Sequence, residues 1–183
     1  MWDGFVSDSI WFGIWPYFYG HLSFDPALGI IHIPLVGAIT MSAASVAEAL
    51  GGYSVLKAEV HTEFDLAAAA MGGLGSNAAA RLVESGLLRA DELYELVIPR
   101  RTFDRRVELK QRLTVTESDR LLRTTRVLVR AAEALGSTER AATWMRTANR
   151  ALRGMTPISL LETDIGARMV EQTLGRLEHG VYS

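Results

Sequence analysis

The chain has 183 residues, 49% of them apolar and none of them cysteine, so it can bury a hydrophobic core but forms neither disulfides nor thiolate metal sites. Its formal net charge of −2 is unevenly spread: residues 1–80 hold Lys57 as their one basic residue against seven carboxylates, and the remainder holds 18 Lys or Arg against 14 Asp or Glu. An anionic partner is therefore expected to meet the second part, and with no basic-then-apolar secretory signal the expected location is the cytoplasm.

Residues 1–40 hold nine of the fifteen aromatic residues, among them Trp2, Trp11, Trp15 and Tyr19, without a sustained helical or strand period. Asp8, Asp25, Pro16, Pro26 and Pro34 interrupt the run and no Lys or Arg anchors it, which argues against a membrane span. The segment is read as a leader, native or translated upstream of a start at Met41. From residue 43 the composition turns Ala-rich, with Gly51-Gly52 and Gly72, Gly73 and Gly75 as breaks. Helices are expected at about 43–50, 63–71, 76–85, 90–97 and 99–111, with "YSVLKAEV" as an extended connection.

The stretch "IPRRTFDRRVELKQR" has the pattern of a helix-turn-helix reader. Pro99 opens its last helix, and Arg100, Arg101 and Thr102 fill the first turn, the part of a recognition helix that meets base edges. Phe103 and Val107 share one face, while Arg101, Arg105 and Arg112 lie roughly opposite. Arg100, Arg101, Thr102, Arg105 and Arg106 are the candidate DNA-binding residues, their guanidinium groups suited to phosphate or to the O6 and N7 edge of guanine. A solvated helix whose Asp104 and Glu108 neutralise those arginines is the other reading.

Farther on, Thr116 is the expected cap of a helix of about 19 residues that stops at Gly136, with Leu121, Leu122, Thr125, Leu128, Val129, Ala132 and Leu135 on its buried face. Arg123, Arg126 and Arg130 are expected as a solvated stripe. Ser137 or Thr138 starts the next helix, containing Trp144 and Met145, Thr156 is the expected cap of a helix with Pro157 at its first position, and Thr163 caps the last helix. That last helix carries Val170, Leu174, Leu177 and Val181 on one face and Ile165 and Met169 nearly opposite, which implies two packing surfaces. Trp144 fits a core aromatic better than an interface anchor. The end, "EHGVYS", places a glycine and then Val181, Tyr182 and Ser183 where a frayed polar terminus is usual.

The segments "ESDRLLR", "NRAL", "LLET" and "LGRLEHGVYS", together with Gly136, Ala141, Trp144, Gly154, Thr156-Pro157, Gly166 and Ala167, resemble the toxin-binding domain of Xre/MbcA/ParS antitoxins. The likeness covers roughly residues 112–183, with weaker support back to about residue 46 through "ELYELVIPRRTFDRR". Two positions depart from the pattern: Ala148 where proline often precedes the asparagine, and Arg153 where glycine is expected before Gly154. The resemblance implies an all-α, non-catalytic antitoxin with a leader (1–40), an Xre-like helix-turn-helix domain (41–112) and a toxin-binding domain (113–183). It further implies a homodimer on operator DNA that represses its own operon, and a cognate RES-domain toxin that degrades NAD+ and whose active-site opening receives the antitoxin's tail. The toxin contacts it implies are Gly180, Val181, Tyr182 and Ser183, supported by Arg176 and Glu178. A regulator of the same fold without a toxin, and an adaptor without DNA affinity, are the alternatives.

Enzymatic readings find little footing. His21, His32, His61 and His179 are scattered, with no second ligand at helical metal spacing, so neither metal nor cofactor is expected. "GGLGSNAAA" lacks the Lys-Ser/Thr ending of a phosphate-binding loop, and no G-x-S-x-G elbow is present.

Overall fold

A computed structural model describes residues 23–25, 30–32 and 42–178, and the chain divides into two compact units, residues 1–40 and 41–183. In the first unit, strands β1 (Ser23–Asp25) and β2 (Ile30–His32) pair antiparallel with Phe24 opposite Ile31. Three-residue strands are too short to leave a period in the sequence, and none was expected there.

The described part of the second unit is helical, in keeping with the all-α expectation. Its helices are α1 (Ala43–Ala49), α2 (Gly52–Leu56), α3 (Glu63–Met71), α4 (Ser76–Glu84), α5 (Ala90–Leu96), α6 (Arg100–Glu108), α7 (Val115–Leu135), α8 (Thr138–Arg146), α9 (Pro157–Leu160) and α10 (Asp164–Glu178). One turn of 3-10 helix, Arg150–Leu152, lies between α8 and α9.

Three local expectations are corrected. Part of "YSVLKAEV" is helix α2: Gly51 and Gly52, both at positive φ, turn the chain back at once, and Val55 and Leu56 pack on the core. Helix α6 ends at Glu108, because Lys110 adopts the left-handed conformation (φ 50°) and the chain returns to bridge Arg112 to Gly75. Helix α7 begins two residues earlier than read, capped by Thr114 and not by Thr116. The Thr114 hydroxyl accepts the Glu117 N–H at 3.2 Å and the Glu117 carboxylate accepts the Thr114 N–H at 2.7 Å, a reciprocal box that requires the acid three residues after the cap.

Helix α7 is the axis of the core. Leu121, Val127, Leu128 and Ala131 are fully buried, and α1, α3, α5, α8 and α10 all pack on it. Leu121, Leu122, Thr125, Leu128 and Val129 are buried as expected, and Ala132 and Leu135 are half-buried. Two of its buried hydroxyls are satisfied within the fold: the Thr125 hydroxyl donates to the Leu121 carbonyl, and the buried Ser118 hydroxyl accepts the Leu74 N–H at 2.8 Å, tying the glycine-rich loop to α7. That loop follows α3, not a strand. A side chain on Gly73 (φ 74°) would meet the Leu113 carbonyl, so close backbone approach accounts for this glycine.

Beyond α7, Gly136 (φ 73°) stops the helix, Ser137 caps α8, and Pro157 occupies the first position of α9 after Thr156, whose side chain makes no cap bond. Thr163 accepts the Gly166 N–H at 3.0 Å at the start of α10. A side chain on Gly166 would run into the Leu160 carbonyl, which explains glycine at the tight junction of α9 and α10.

Candidate functional site

Helices α5 and α6, joined by a three-residue turn, carry the stretch read as a helix-turn-helix. The turn, Val97 to Pro99, is held by burying Val97 and Ile98, while Phe103 of α6 is buried and stacks tilted on Tyr94 of α5 with ring centroids 6.1 Å apart. That packing leaves Arg100, Arg101, Asp104, Arg105 and Glu108 exposed along one shallow groove. Pro99 makes no side-chain cap and no acid lies in the first turn, so the positive N-terminus of α6 is open beside Arg100 and Arg101.

The candidate arginines divide into two groups. Arg101 and Arg105 form no ion pair among the described residues, whereas Arg100, itself exposed, lies 3.7 Å from exposed Asp104 and 6.0 Å over the Tyr94 ring, contacts of small energy at the surface. Thr102 is half-buried. Arg106 is held differently: it pairs with Glu117 at 3.1 Å, with each side chain only about 15% exposed, and donates to the Arg112 carbonyl at 3.0 Å. Burial by itself pushes the Glu117 carboxyl up, but its bonds to Thr114 and Arg106 outweigh that and hold it below the usual carboxylate range. Arg106 thus locks α6 to the start of α7. Arg112, expected on the reading face, instead donates to the Gly72 and Gly73 carbonyls at the end of α3.

The C-terminal helices form a second candidate surface. The stripe expected to be solvated is not: Arg126 reaches Glu171 and Arg130 reaches Glu178 at 2.9 Å, both carboxylates contributed by α10, while Arg123 pairs with Asp119 one turn back. Val170 and Leu174 are buried and Leu177 packs beside them, whereas Ile165 is 68% and Met169 41% exposed on the opposite face. Gln172 and Arg176, both exposed, continue the line of Ile165 and Met169 toward the chain end. Trp144 is half-buried against the core. Of the candidate toxin contacts, Arg176 is free to reach outward and Glu178 is engaged by Arg130. Gly180, Val181, Tyr182 and Ser183 lie outside the described residues.

A link between the two surfaces had no sequence signal. Arg146 of α8 forms two 2.7 Å bonds to Glu92 of α5, and the same carboxylate accepts the Arg89 N–H at the start of α5. The partners stand 54 residues apart, so no local pattern joins them.

The paired helix-turn-helix and C-terminal module have counterparts in known families. The antitoxin Xre-like helix-turn-helix domain matches residues 65–126, and the antitoxin Xre/MbcA/ParS C-terminal toxin-binding domain matches residues 130–180, so the two meet inside α7. An antitoxin Xre of Pseudomonas putida is 31% identical over 122 residues, covering 67% of this chain and 76% of the relative. The chain belongs to the Xre antitoxin family. Antitoxins Xre of Yersinia enterocolitica (42% over 96 residues, 52% of this chain and 65% of the relative) and Photorhabdus laumondii (39% over 84 residues, 45% and 57%) are also similar. In this Xre-type chain the helix-turn-helix match runs from within α3 to the middle of α7, and the toxin-binding match from the end of α7 through α10. Among the described residues there is no group of three or more potential metal ligands, and no helix is long and apolar enough to cross a membrane.

Proposed function

We propose that this protein neutralises a cognate RES-domain, NAD+-degrading toxin in the cytoplasm by laying the outer face of α10 on the toxin and lodging Gly180, Val181, Tyr182 and Ser183 in its active-site opening. The observation that carries the reading is the line of Ile165, Met169 and Arg176 on α10. Its first two members are apolar and exposed where a helix of an isolated domain is normally polar, and the line continues through Gln172 and Arg176 toward the chain end. Ile165 and Met169 supply desolvated contact area, Arg176 supplies a charge for a carboxylate at the toxin's rim, and Glu178, held by Arg130, fixes where the tail departs. The tail then blocks NAD+ by occupying space, a task that needs no catalytic group.

The same molecule binds its operator as a homodimer through Arg100, Arg101, Thr102 and Arg105 of α6, because one recognition helix reads too few base pairs and a two-fold dimer reads an inverted repeat. Arg106 serves this reading as a positioning residue. The test is removal of the last four residues, followed by an assay of the purified toxin's NAD+ consumption and by rescue of poisoned cells. Inhibition and rescue should be lost while the helical circular dichroism is unchanged. A truncated protein that still inhibits fully would overturn the plug.

A further inference from the structure

Helix α3 is apolar on both sides, and no described residue covers its outer side. Leu66 and Ala70 are buried toward the core, yet Phe64 is 78% and Met71 65% exposed, and Ala67 and Ala68 between them are exposed as well. At about 100° per residue these four occupy one stripe with no polar member, opposite the buried one. An exposed apolar stripe of this kind is a surface for a partner.

We infer that this stripe is where two copies of the chain meet, α3 packing antiparallel on its two-fold mate around Ala67 and Ala68. Three features select a second copy as the occupant. The pattern is self-complementary: with the two-fold axis between Ala67 and Ala68, the large side chain of Phe64 faces Met71 of the other copy, while the alanines at the centre allow the close axial approach, about 8 Å, that small residues permit. Charge is complementary in the same antiparallel sense. The N-terminal end of α3 carries exposed Glu63, and its C-terminal end is flanked by Arg112, whose guanidinium donates to the Gly72 and Gly73 carbonyls at 3.2 and 2.8 Å. Each Glu63 therefore approaches the other copy's Arg112, with the helix macrodipoles opposed favourably. Finally, Arg112 stands four residues past the end of α6, and α3 and that end of α6 line one cleft of about 810 Å³, so an axis at α3 sets the spacing of the two recognition helices.

This names the surface for the dimer proposed above and rests on that reading. The native chain lacks cysteine, which makes the test direct. Ala68→Cys in the full chain should form a covalent dimer under mild oxidation within minutes, since facing helices bring such positions within the Cα separation a disulfide spans, about 4.4–6.8 Å. Ser159→Cys, exposed at α9, should not. Light scattering should show a dimer for the native chain, and Phe64→Glu should raise its dissociation constant at least about 30-fold, the loss typical of an aromatic anchor, with circular dichroism and toxin inhibition unchanged. Glu63→Arg and Arg112→Glu should each weaken the dimer and together restore it. A native dimer that ignores Phe64→Glu and leaves Ala68→Cys unlinked would overturn the α3 surface while leaving the dimer itself standing. A native chain that is monomeric at all concentrations would overturn both.

Discussion

Arg101 and Arg105 of α6 and Arg126 and Arg130 of α7 are chemically the same and are placed in opposite surroundings. Arg101 and Arg105 project from a helix whose outer face no described residue covers. Arg126 and Arg130 project from a helix that α10 covers, and two of its carboxylates, Glu171 and Glu178, end their reach. A guanidinium reads a partner only where the fold leaves it unclaimed. Where a carboxylate returns from a distant element, the same group becomes an internal clamp with a desolvation cost, visible in the Nε atoms of Arg123, Arg126 and Arg130, which are buried without a hydrogen-bond partner.

The strongest way to break this comparison is to truncate both pairs. Arg101→Ala with Arg105→Ala should cut operator affinity roughly a hundredfold, about 3 kcal/mol, and flatten the dependence of log K on log salt by about two, with no change in melting temperature. Arg126→Ala with Arg130→Ala should leave the salt slope alone and lower stability. Equal losses of DNA affinity from the two double variants in a fluorescence titration would erase the distinction.

Next in size is Glu92→Ala. It strands Arg146, 23% exposed, and removes the cap acid of α5, so unfolding free energy should fall by about 2–3 kcal/mol and Tm by roughly 8 °C. Arg130→Ala alone should cost about 1–2 kcal/mol in a urea titration and, by releasing Glu178, weaken toxin inhibition more than Arg126→Ala does. If Arg130→Ala left both properties intact, the seam between α7 and α10 would be ornamental.

The parts of this molecule that local chemistry dictates were readable from residues alone: the span of α3, the stop at Gly136, the proline opening α9, and the apolar outer line of Ile165 and Met169. What escaped shares one cause. Glu178 meets Arg130 across 48 residues and Glu92 meets Arg146 across 54, and amphipathic spacing reports which face is polar but not what folds onto it. Helix α2 escaped because two glycines at positive φ let five residues start a helix where a β-branched, aromatic run suggested extended chain. In the site itself, α6 was visible as a basic helix, but the separation of Arg106 from Arg101 and Arg105 needed Glu117 in place.

Glu117 offers a gentler probe of the clamp on α6. Its carboxyl is held below the ordinary glutamate value of about 4.3, so the stability it contributes is fully present above that value and is lost as pH falls through the lower, folded one. Glu117→Gln should therefore cost about 1 kcal/mol near pH 7, and the gap to the native protein should narrow and close as pH falls below the ordinary glutamate value in acid unfolding curves. A gap that persists into acid would place the contribution in packing and not in charge.

The smallest effect separates backbone from side chain at a basic residue of the C-terminal module. Arg153 holds φ 57° directly before Gly154 at φ 81°, at a position where glycine is expected, and its side chain is exposed and forms no ion pair among the described residues. An L-residue in this conformation is strained, so Arg153→Gly should raise stability by about 0.5–1 kcal/mol even though glycine enlarges the unfolded ensemble. Lys110 holds φ 50° at the end of α6 and lines the cleft beside α3, so Lys110→Gly carries the same backbone gain together with the loss of a cation near the DNA-reading helix. If the fold alone governs these two positions, both glycine variants gain similarly in thermal melts. If the α6 end also meets phosphate, Lys110→Gly alone loses operator affinity, and the contrast between an open basic surface and a closed one extends to residues that the backbone itself disfavours.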